Sequence, residues 1–286
     1  MKIALVIAVY KRHDLTKIVL DNFRLQAKKY GFEIIIAGSE GNASKRLAKC
    51  CHYIEVDNDP LSDKHDAMIT KAKELDVDGV VLMGSDDIVS DSYWDWVYSL
   101  DSNAKYLQGL KDIYFYSTKH KQLYYWAGYR NGKQIAGAGR FFSRFILDKM
   151  DWQLWDSGLQ KGLDTNCSSL LLKKGIKEKS VTMQEINAIL VDVKHEYSIT
   201  NLAIVNNCEK VNNEIMASKV RKTTTKKVEE LEPKVEVAPK KIYSANDKVR
   251  FKSNGKSKHL PFGSIHELDG LKANYFLNAG FGEIID

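Results

Sequence analysis

The sequence predicts an α/β fold, a sandwich whose mostly parallel sheet is covered by helices on both faces, followed by a small C-terminal α+β or β module. Three observations carry this. Short all-apolar runs alternate with helical patterns over residues 1–100, an aromatic, less regular stretch follows, and a basic segment poor in apolar residues sets off the last part of the chain. With 286 residues, 44% of them apolar and 28% charged, usage is that of a globular protein of about two domains. The longest apolar run, Ile3–Tyr10, is far short of the roughly 20 residues a bilayer-spanning helix needs. No membrane span is therefore expected. Met1-Lys2 leads straight into that run, so it reads as a buried strand rather than a signal peptide. Cys50, Cys51, Cys167 and Cys208 show no metal-site spacing, which fits a reduced, cytoplasmic chain.

Taken in order, Lys2–Val9 has the continuous apolar character of a strand buried on both faces. Asp14 is placed to cap a helix that carries Leu15, Ile18, Val19 and Phe23 at helical spacing and ends at Gly31. Phe32–Ala37 is a second strand, a short helix follows the turn Gly38–Asn42, and Tyr53–Val56 is a third strand. Asp63–Leu75 reads as a helix and Gly79–Met83 as a fourth strand, ending abruptly in Gly84-Ser85-Asp86-Asp87. Strands are further expected near Lys111–Ser117, Gln122–Tyr129 and Ala188–Val193, with helices over Ser143–Met150 and from about Asp164. The Tyr and Trp residues between 114 and 129 fit a core or a dimer face better than a sugar platform.

Two domains and a linker follow: residues 1–217, a linker over 218–241 rich in Lys, Glu, Thr and Pro, and a compact module over 242–286. In the last, Lys248–Phe251 is strand-like, Asn254-Gly255 is a hairpin signal and Leu271–Ala279 is helical. Charge divides with the domains. The chain carries +6, yet residues 219–258 alone hold 13 Lys or Arg against five Asp or Glu, which leaves the remainder slightly negative. A basic tether on a near-neutral body suits a polyanionic partner, against the plainer reading of a solvated linker.

In an open parallel sheet ligands bind beyond the carboxyl ends of the strands. Polar clusters fall at four such places: Tyr10-Lys11-Arg12-His13, Ser39-Glu40, Asp57-Asn58-Asp59 and Asp86-Asp87. Adjacent carboxylates after an apolar strand are costly unless a cation neutralises them. The alternative is that Ser85 or Asp86 caps a following helix while Asp87 faces water.

Several segments resemble family-2 glycosyltransferases of the GT-A fold, as found in phages and bacteria. They are Val6–Leu15, Asn58–Ala67, Asp78–Asp87, Gly137–Arg140 with Phe142–Arg144, and Trp152 to Asp164; the likeness covers about residues 1–200. The resemblance implies a GT-A-like, Rossmann-like sandwich and transfer of a sugar from a nucleotide-diphosphate donor to an acceptor hydroxyl, with inversion. It implies Mn²⁺ or Mg²⁺ held by Asp87 and Asp86, with His195 as a further ligand. Val9, Tyr10, Arg12 and Glu40 would line the nucleoside pocket, with Asp86 also placed toward the ribose, and Lys64, Arg140 and Arg144 would face phosphates. Asp164 stands where inverting members place the general base. Three positions depart from the family pattern: Gly38-Ser39-Glu40 replaces an acid directly after the second strand, Gly84 replaces the first acid of the longer metal motif, and Gly162-Leu163 replaces the acidic pair often found before the base. Phage relatives make a modified base in DNA one acceptor to consider, bound through residues 219–258, and the host cytoplasm the compartment if the chain is phage-encoded. The alternatives are a nucleotidyltransferase on the same fold and a non-catalytic binding protein of a virion or surface layer.

Overall fold

In a computed structural model, which describes residues 1–129, 135–194, 208–211, 248–253, 264–269 and 282–285, the opening apolar run forms β1 (Ile3–Ala8). Ile3, Leu5 and Ile7 enter one core and Ala4 and Val6 the other, all fully buried, as alternation along a central strand requires. The chain continues through α1 (His13–Tyr30), β2 (Glu33–Gly38), α2 (Asn42–Leu47), β3 (His52–Glu55), α3 (Leu61–Glu74) and β4 (Gly79–Gly84). β1 pairs in parallel with β2 and β4, and β2 with β3. On one face α1 packs Val19, Leu20 and Phe23; on the other α3 packs Met68, Ile69 and Ala72. Helices on both faces are what strands apolar on both sides demand.

The start of α1 differs from expectation. Asp14 lies in the first turn, and the cap position is Arg12, in the left-handed region at φ 50° after Lys11 at φ 55°. Two successive non-glycine residues in that region cost about 1–3 kcal/mol each and turn the chain sharply out of β1. The other end is as expected: Gly31 closes α1 at φ 78°, and its N–H donates to Ala27 O at 2.8 Å.

Beyond β4 come β5 (Asp87–Val89), α4 (Asp91–Ser99), β6 (Tyr106–Leu110), β7 (Ile113–Ser117), β8 (Gln122–Trp126), β9 (Arg140–Ser143) and α5 (Arg144–Lys149). Then follow α6 (Leu163–Lys173), β10 (Lys177–Val181), β11 (Leu190–Lys194) and β12 (Cys208–Lys210). The main sheet has the order β10-β6-β9-β4-β1-β2-β3, with β9 running against its neighbours β4 and β6. A second sheet, β12-β8-β7-β11-β5, carries Tyr114, Tyr116, Tyr124 and Tyr125. The αβα arrangement implied by the resemblance is present. Three strands of the main sheet, β6, β9 and β10, are not anticipated: each has only four or five residues, and β10 is the polar edge segment Lys-Glu-Lys-Ser-Val. α5 is capped as its sequence implies, with Ser143 Oγ accepting from Ile146 N.

The chain divides into two compact units, Met1–Val220 and Arg221–Asp286. The second contains β13 (Lys248–Ser253), β14 (Ile265–Asp269) and β15 (Gly282–Ile285) in an antiparallel sheet of order β14-β13-β15. The expected linker over 218–241, the Asn254-Gly255 turn and the helix Leu271–Ala279 lie outside the described residues. Among the described residues no helix is long and apolar enough to cross a membrane.

Candidate active site

β4 ends at Gly84, and the chain turns through Ser85 and Asp86 into β5, whose first residue is Asp87. β11 pairs antiparallel with β5 and sets Asp192 opposite Asp87. Val193 N–H donates to Asp86 O and Ser90 N–H to Ile189 O, each at 2.9 Å, while Ser90 Oγ accepts from Ile189 N at 2.9 Å. A buried link holds the strip from behind: Trp94 Nε1 donates to Gln26 Oε1 at 2.8 Å, and Gln26 Nε2 donates to Val89 O at 2.9 Å. The outcome is a triad. Carboxylate oxygens of Asp86, Asp87 and Asp192 lie within 4.8 Å of one another.

The reading of Ser85 or Asp86 as a helix cap is corrected here. Ser90 occupies the cap position of α4, and Asp87 is only 3% exposed rather than facing water. Gly84 makes the arrangement possible: a Cβ there would stand 2.8 Å from Asp86 Oδ1 and 3.0 Å from Asp87 Oδ2. Its N–H also donates to Asp87 Oδ2. The glycine that replaces an acid of the longer motif is thus the seat for the two acids that remain.

Burial and crowding together raise the proton affinity of Asp87 and Asp192. Asp87 is pushed well above the carboxylate range, first by burial and then by the charges of Asp192 and Asp86. Asp192 is raised to about 6, burial again leading, with Asp86 adding to it and Lys194 opposing. Arg12 pairs with Asp86 and donates to Ser85 Oγ at 3.1 Å. Lys194 Nζ donates to Asp192 Oδ2 at 2.5 Å, yet Asp192 Oδ1 is buried with no hydrogen-bond partner. An orphaned oxygen among three hard oxygen donors fits a divalent cation of the Mg²⁺ or Mn²⁺ type.

The same three carboxylates line a cleft of about 410 Å³ whose other lining residues include Asp164, His65 and Trp155. Gly162, at φ 72°, precedes α6, so Asp164 falls in the first turn, where the helix dipole favours a carboxylate, and not at the cap. Its carboxylate nests against Gly137, where any Cβ would overlap it. Beneath it the fully buried Arg140 donates to Ala136 O (3.0 Å), Ile135 O (3.2 Å) and Asp164 O (3.3 Å), with Nη2 4.0 Å from Asp164 Oδ1. The Asp164 side chain stays 43% exposed. His65 is tilted at 49° against Trp155, ring centroids 5.1 Å apart, and burial depresses its imidazole to about 4, so it is neutral at pH 7.

The structure therefore brings Arg12, Asp86, Asp87 and Asp164 into one cleft and places the other expected residues that it describes elsewhere. Val9 is fully buried, Tyr10 is exposed, and Glu40 accepts from Lys11 N and contacts His13 Nε2, both at 2.8 Å. Lys64, expected to face phosphates, is fully buried, and Nζ donates to Val9 O, Ser39 Oγ and Asn58 Oδ1 at 2.9–3.0 Å. It ties together the ends of β1, β2 and the segment after β3, and burial lowers its ammonium to about 8. Arg140 supports Asp164 from below. Arg144 is corrected outright: β9 runs against β4, so the residue after it stands at the beginning of β4, with N–H donating to Asp78 O and guanidinium paired with Asp76 and Asp148. His195 lies outside the described residues. Asp192 and Lys194 were not foreseen; the available signal was an acid and a base interrupting the apolar strand Leu-Val-Asp-Val-Lys.

What the fold and cleft define is an α/β protein with an acidic triad and a separate carboxylate at the carboxyl edge of a mainly parallel sheet. Among solved structures the chain is similar to a Drosophila galactosyltransferase in complex with manganese, UDP-Gal and xylobiose (12% identity, TM-score 0.41, 96% of each chain). It is also similar to a glycosyltransferase involved in glycosylation of the major capsid of PBCV-1 (12% identity, TM-score 0.42, 71% of this chain and 96% of that one). A third is described as a glucose-1-phosphate thymidylyltransferase from Bacillus anthracis (11% identity, TM-score 0.42, 67% of this chain and 89% of that one). No family model and no curated protein matches the sequence. The functional reading rests on the cleft itself.

Proposed function

We propose that the chain is a divalent-metal-dependent glycosyltransferase that takes a nucleotide-diphosphate sugar as donor and inverts its anomeric centre. The observation that supports this best is the meeting, in one cleft, of the Asp86–Asp87–Asp192 triad with the solvent-reachable Asp164. A bound Mn²⁺ or Mg²⁺ would neutralise the diphosphate as it leaves. Asp86, Asp87 and Asp192 hold that charge in place, and Arg12 stands ready beside them for phosphate oxygens. Asp164 takes the proton of the acceptor hydroxyl as that oxygen bonds to the anomeric carbon, and the bond from that carbon to the phosphate oxygen breaks with its electron pair going to the diphosphate. Arg140 keeps Asp164 in position, and the neutral His65 lines the same cleft against the buried Trp155.

The test is a thermal-shift and hydrolysis panel of nucleotide sugars with Mn²⁺ or Mg²⁺. Stabilisation by at least one nucleotide sugar, with metal-dependent release of the nucleoside diphosphate, is expected. Pyrophosphate release from a nucleoside triphosphate and a sugar phosphate would assign a nucleotidyltransferase instead, and no response to any nucleotide would favour a binding protein. For the acceptor we take a polyanion such as DNA carrying a modified base, supported by the excess of positive charge over residues 219–258. Truncation after Ala217 should then weaken DNA binding and flatten its salt dependence.

A further inference from the structure

The triad has two cations of its own. Arg12 comes from the strained turn after β1 and pairs with Asp86; Lys194 comes from the end of β11 and pairs with Asp192. All four side chains are between 11% and 14% exposed, so the pairs are poorly screened, and all four residues line the cleft. Lys194 Nζ also stands 4.9 Å from the Phe115 ring centroid, a cation–π contact that helps hold the ammonium at the cleft.

Charge counting shows what these pairs imply. Counted with all three carboxylates in the ionised form that would ligate a cation, the triad and its two counter-ions sum to one negative charge. A divalent ion entering alone would leave one positive charge, with two fixed cations beside it. A diphosphate diester entering alone would leave three negative charges at close range. Both together restore the original single negative charge. Each ligand alone is opposed by groups that the other would neutralise, and at low dielectric such opposition is strong.

Resting on the metal-dependent reading above, we propose that Arg12 and Lys194 are exchangeable counter-ions. Each holds a metal-ligating carboxylate in the ligand-free protein and turns to the diphosphate of the donor when metal and donor enter together. The carboxylates are released to the cation by the same movement that delivers two positive side chains to the phosphates. Metal and donor binding are therefore coupled, and the coupling is reciprocal.

The experiment measures Mn²⁺ binding to the full chain from free-ion electron paramagnetic resonance, alone and with each of the four ribonucleoside diphosphates. In the wild type, Mn²⁺ and the accepted diphosphate should each raise the other's affinity by about tenfold or more. In Lys194→Met, Mn²⁺ alone should bind about tenfold tighter, the diphosphate in saturating Mn²⁺ about tenfold weaker, and the coupling should fall toward unity. Arg12→Met should shift both in the same directions, whereas Lys194→Arg, which keeps the charge, should retain the coupling. A salt bridge of purely structural importance would move both affinities the same way, so parallel changes in Lys194→Met, or none, would overturn the proposal. Mn²⁺ binding without coupling in the wild type overturns it too, while leaving the metal reading intact. Failure of the wild type to bind Mn²⁺ in any of these mixtures would remove the metal reading itself.

Discussion

Two acidic corners share the cleft, and they are built in opposite ways. At one, Asp86, Asp87 and Asp192 are crowded together behind two strands, and burial drives Asp87 and Asp192 toward the protonated form. At the other, Asp164 stands alone on the first turn of α6, 43% exposed, with the fixed charge of Arg140 about one ion-pair distance away at 4.0 Å. Crowded, desolvated carboxylates are in debt for a positive charge and so suit a metal ion. A single accessible carboxylate beside a buried cation is free to accept a proton from an incoming hydroxyl. The difference teaches that acids of the same type meet opposite surroundings, which on the proposed function would sort them into ligand and base, a division the linear sequence leaves open.

The largest effect that would break this contrast is at the crowded corner. Asp87→Asn should lower metal-dependent sugar transfer about a thousandfold or more, measured as nucleoside diphosphate release. The metal-free variant should also melt higher than wild type at pH 8. The sign follows from Asp87: a carboxyl whose folded value is raised adds stability only while protonated, and that contribution is lost as pH rises through the folded value. Equal melting of the two proteins at pH 8 would contradict the burial of an uncompensated carboxylate.

At the exposed corner, Asp164→Asn should lower kcat by about 10²–10⁴-fold while Mn²⁺ and donor affinities stay at the wild-type level. A fall in Mn²⁺ affinity instead would merge the two corners into one metal site. Gly84→Ala sharpens the same division from the other side. Its Cβ would press on both Asp86 and Asp87, so Mn²⁺ affinity should drop about 10–100-fold, with the pH profile of the base unchanged.

The smallest effect is a control on burial by itself. Asp66, outside the cleft lining, is raised to about 6 by burial first and the Asp63 charge second, and its Oδ1 has no hydrogen-bond partner. Asp66→Asn should gain about 1 kcal/mol above pH 7, allowing for partial solvent screening, and nothing below pH 4. Urea unfolding across that range is the check. A gain that persists at pH 4 would show that ionisation is not its source.

Much of the scaffold was legible in advance because its signals are local. The runs Ile3–Ala8 and Gly79–Gly84 are apolar without interruption, and Gly31 stops α1 by conformational freedom alone. The pair Asp86-Asp87 was conspicuous for being polar directly after such a run. β9 and β10 escaped notice because four or five residues give too little periodicity, and their pairing partners are distant in the chain. Arg144 shows the same blindness in another form. Its type suited a phosphate, but the direction of β9 carries it to the far end of the sheet. Lys64 had the right charge in a region near the ligand edge, and three protein acceptors already occupy it.

By itself the sequence determined the layered α/β plan, the sites where helices and strands begin and end to within a few positions as far as β4, and one acidic pair at the ligand edge; β5 and α4 were not among them. These depend on side-chain period and on turn residues, which act over a few neighbours. Only the tertiary structure decided that Asp192, about a hundred positions later, completes the triad, that Lys194 and Arg12 guard it, and that Asp164 faces the same cleft from another element. The physical reason is strand pairing: the antiparallel register of β11 on β5 converts a large sequence separation into carboxylates within 4.8 Å, and no local pattern specifies that register.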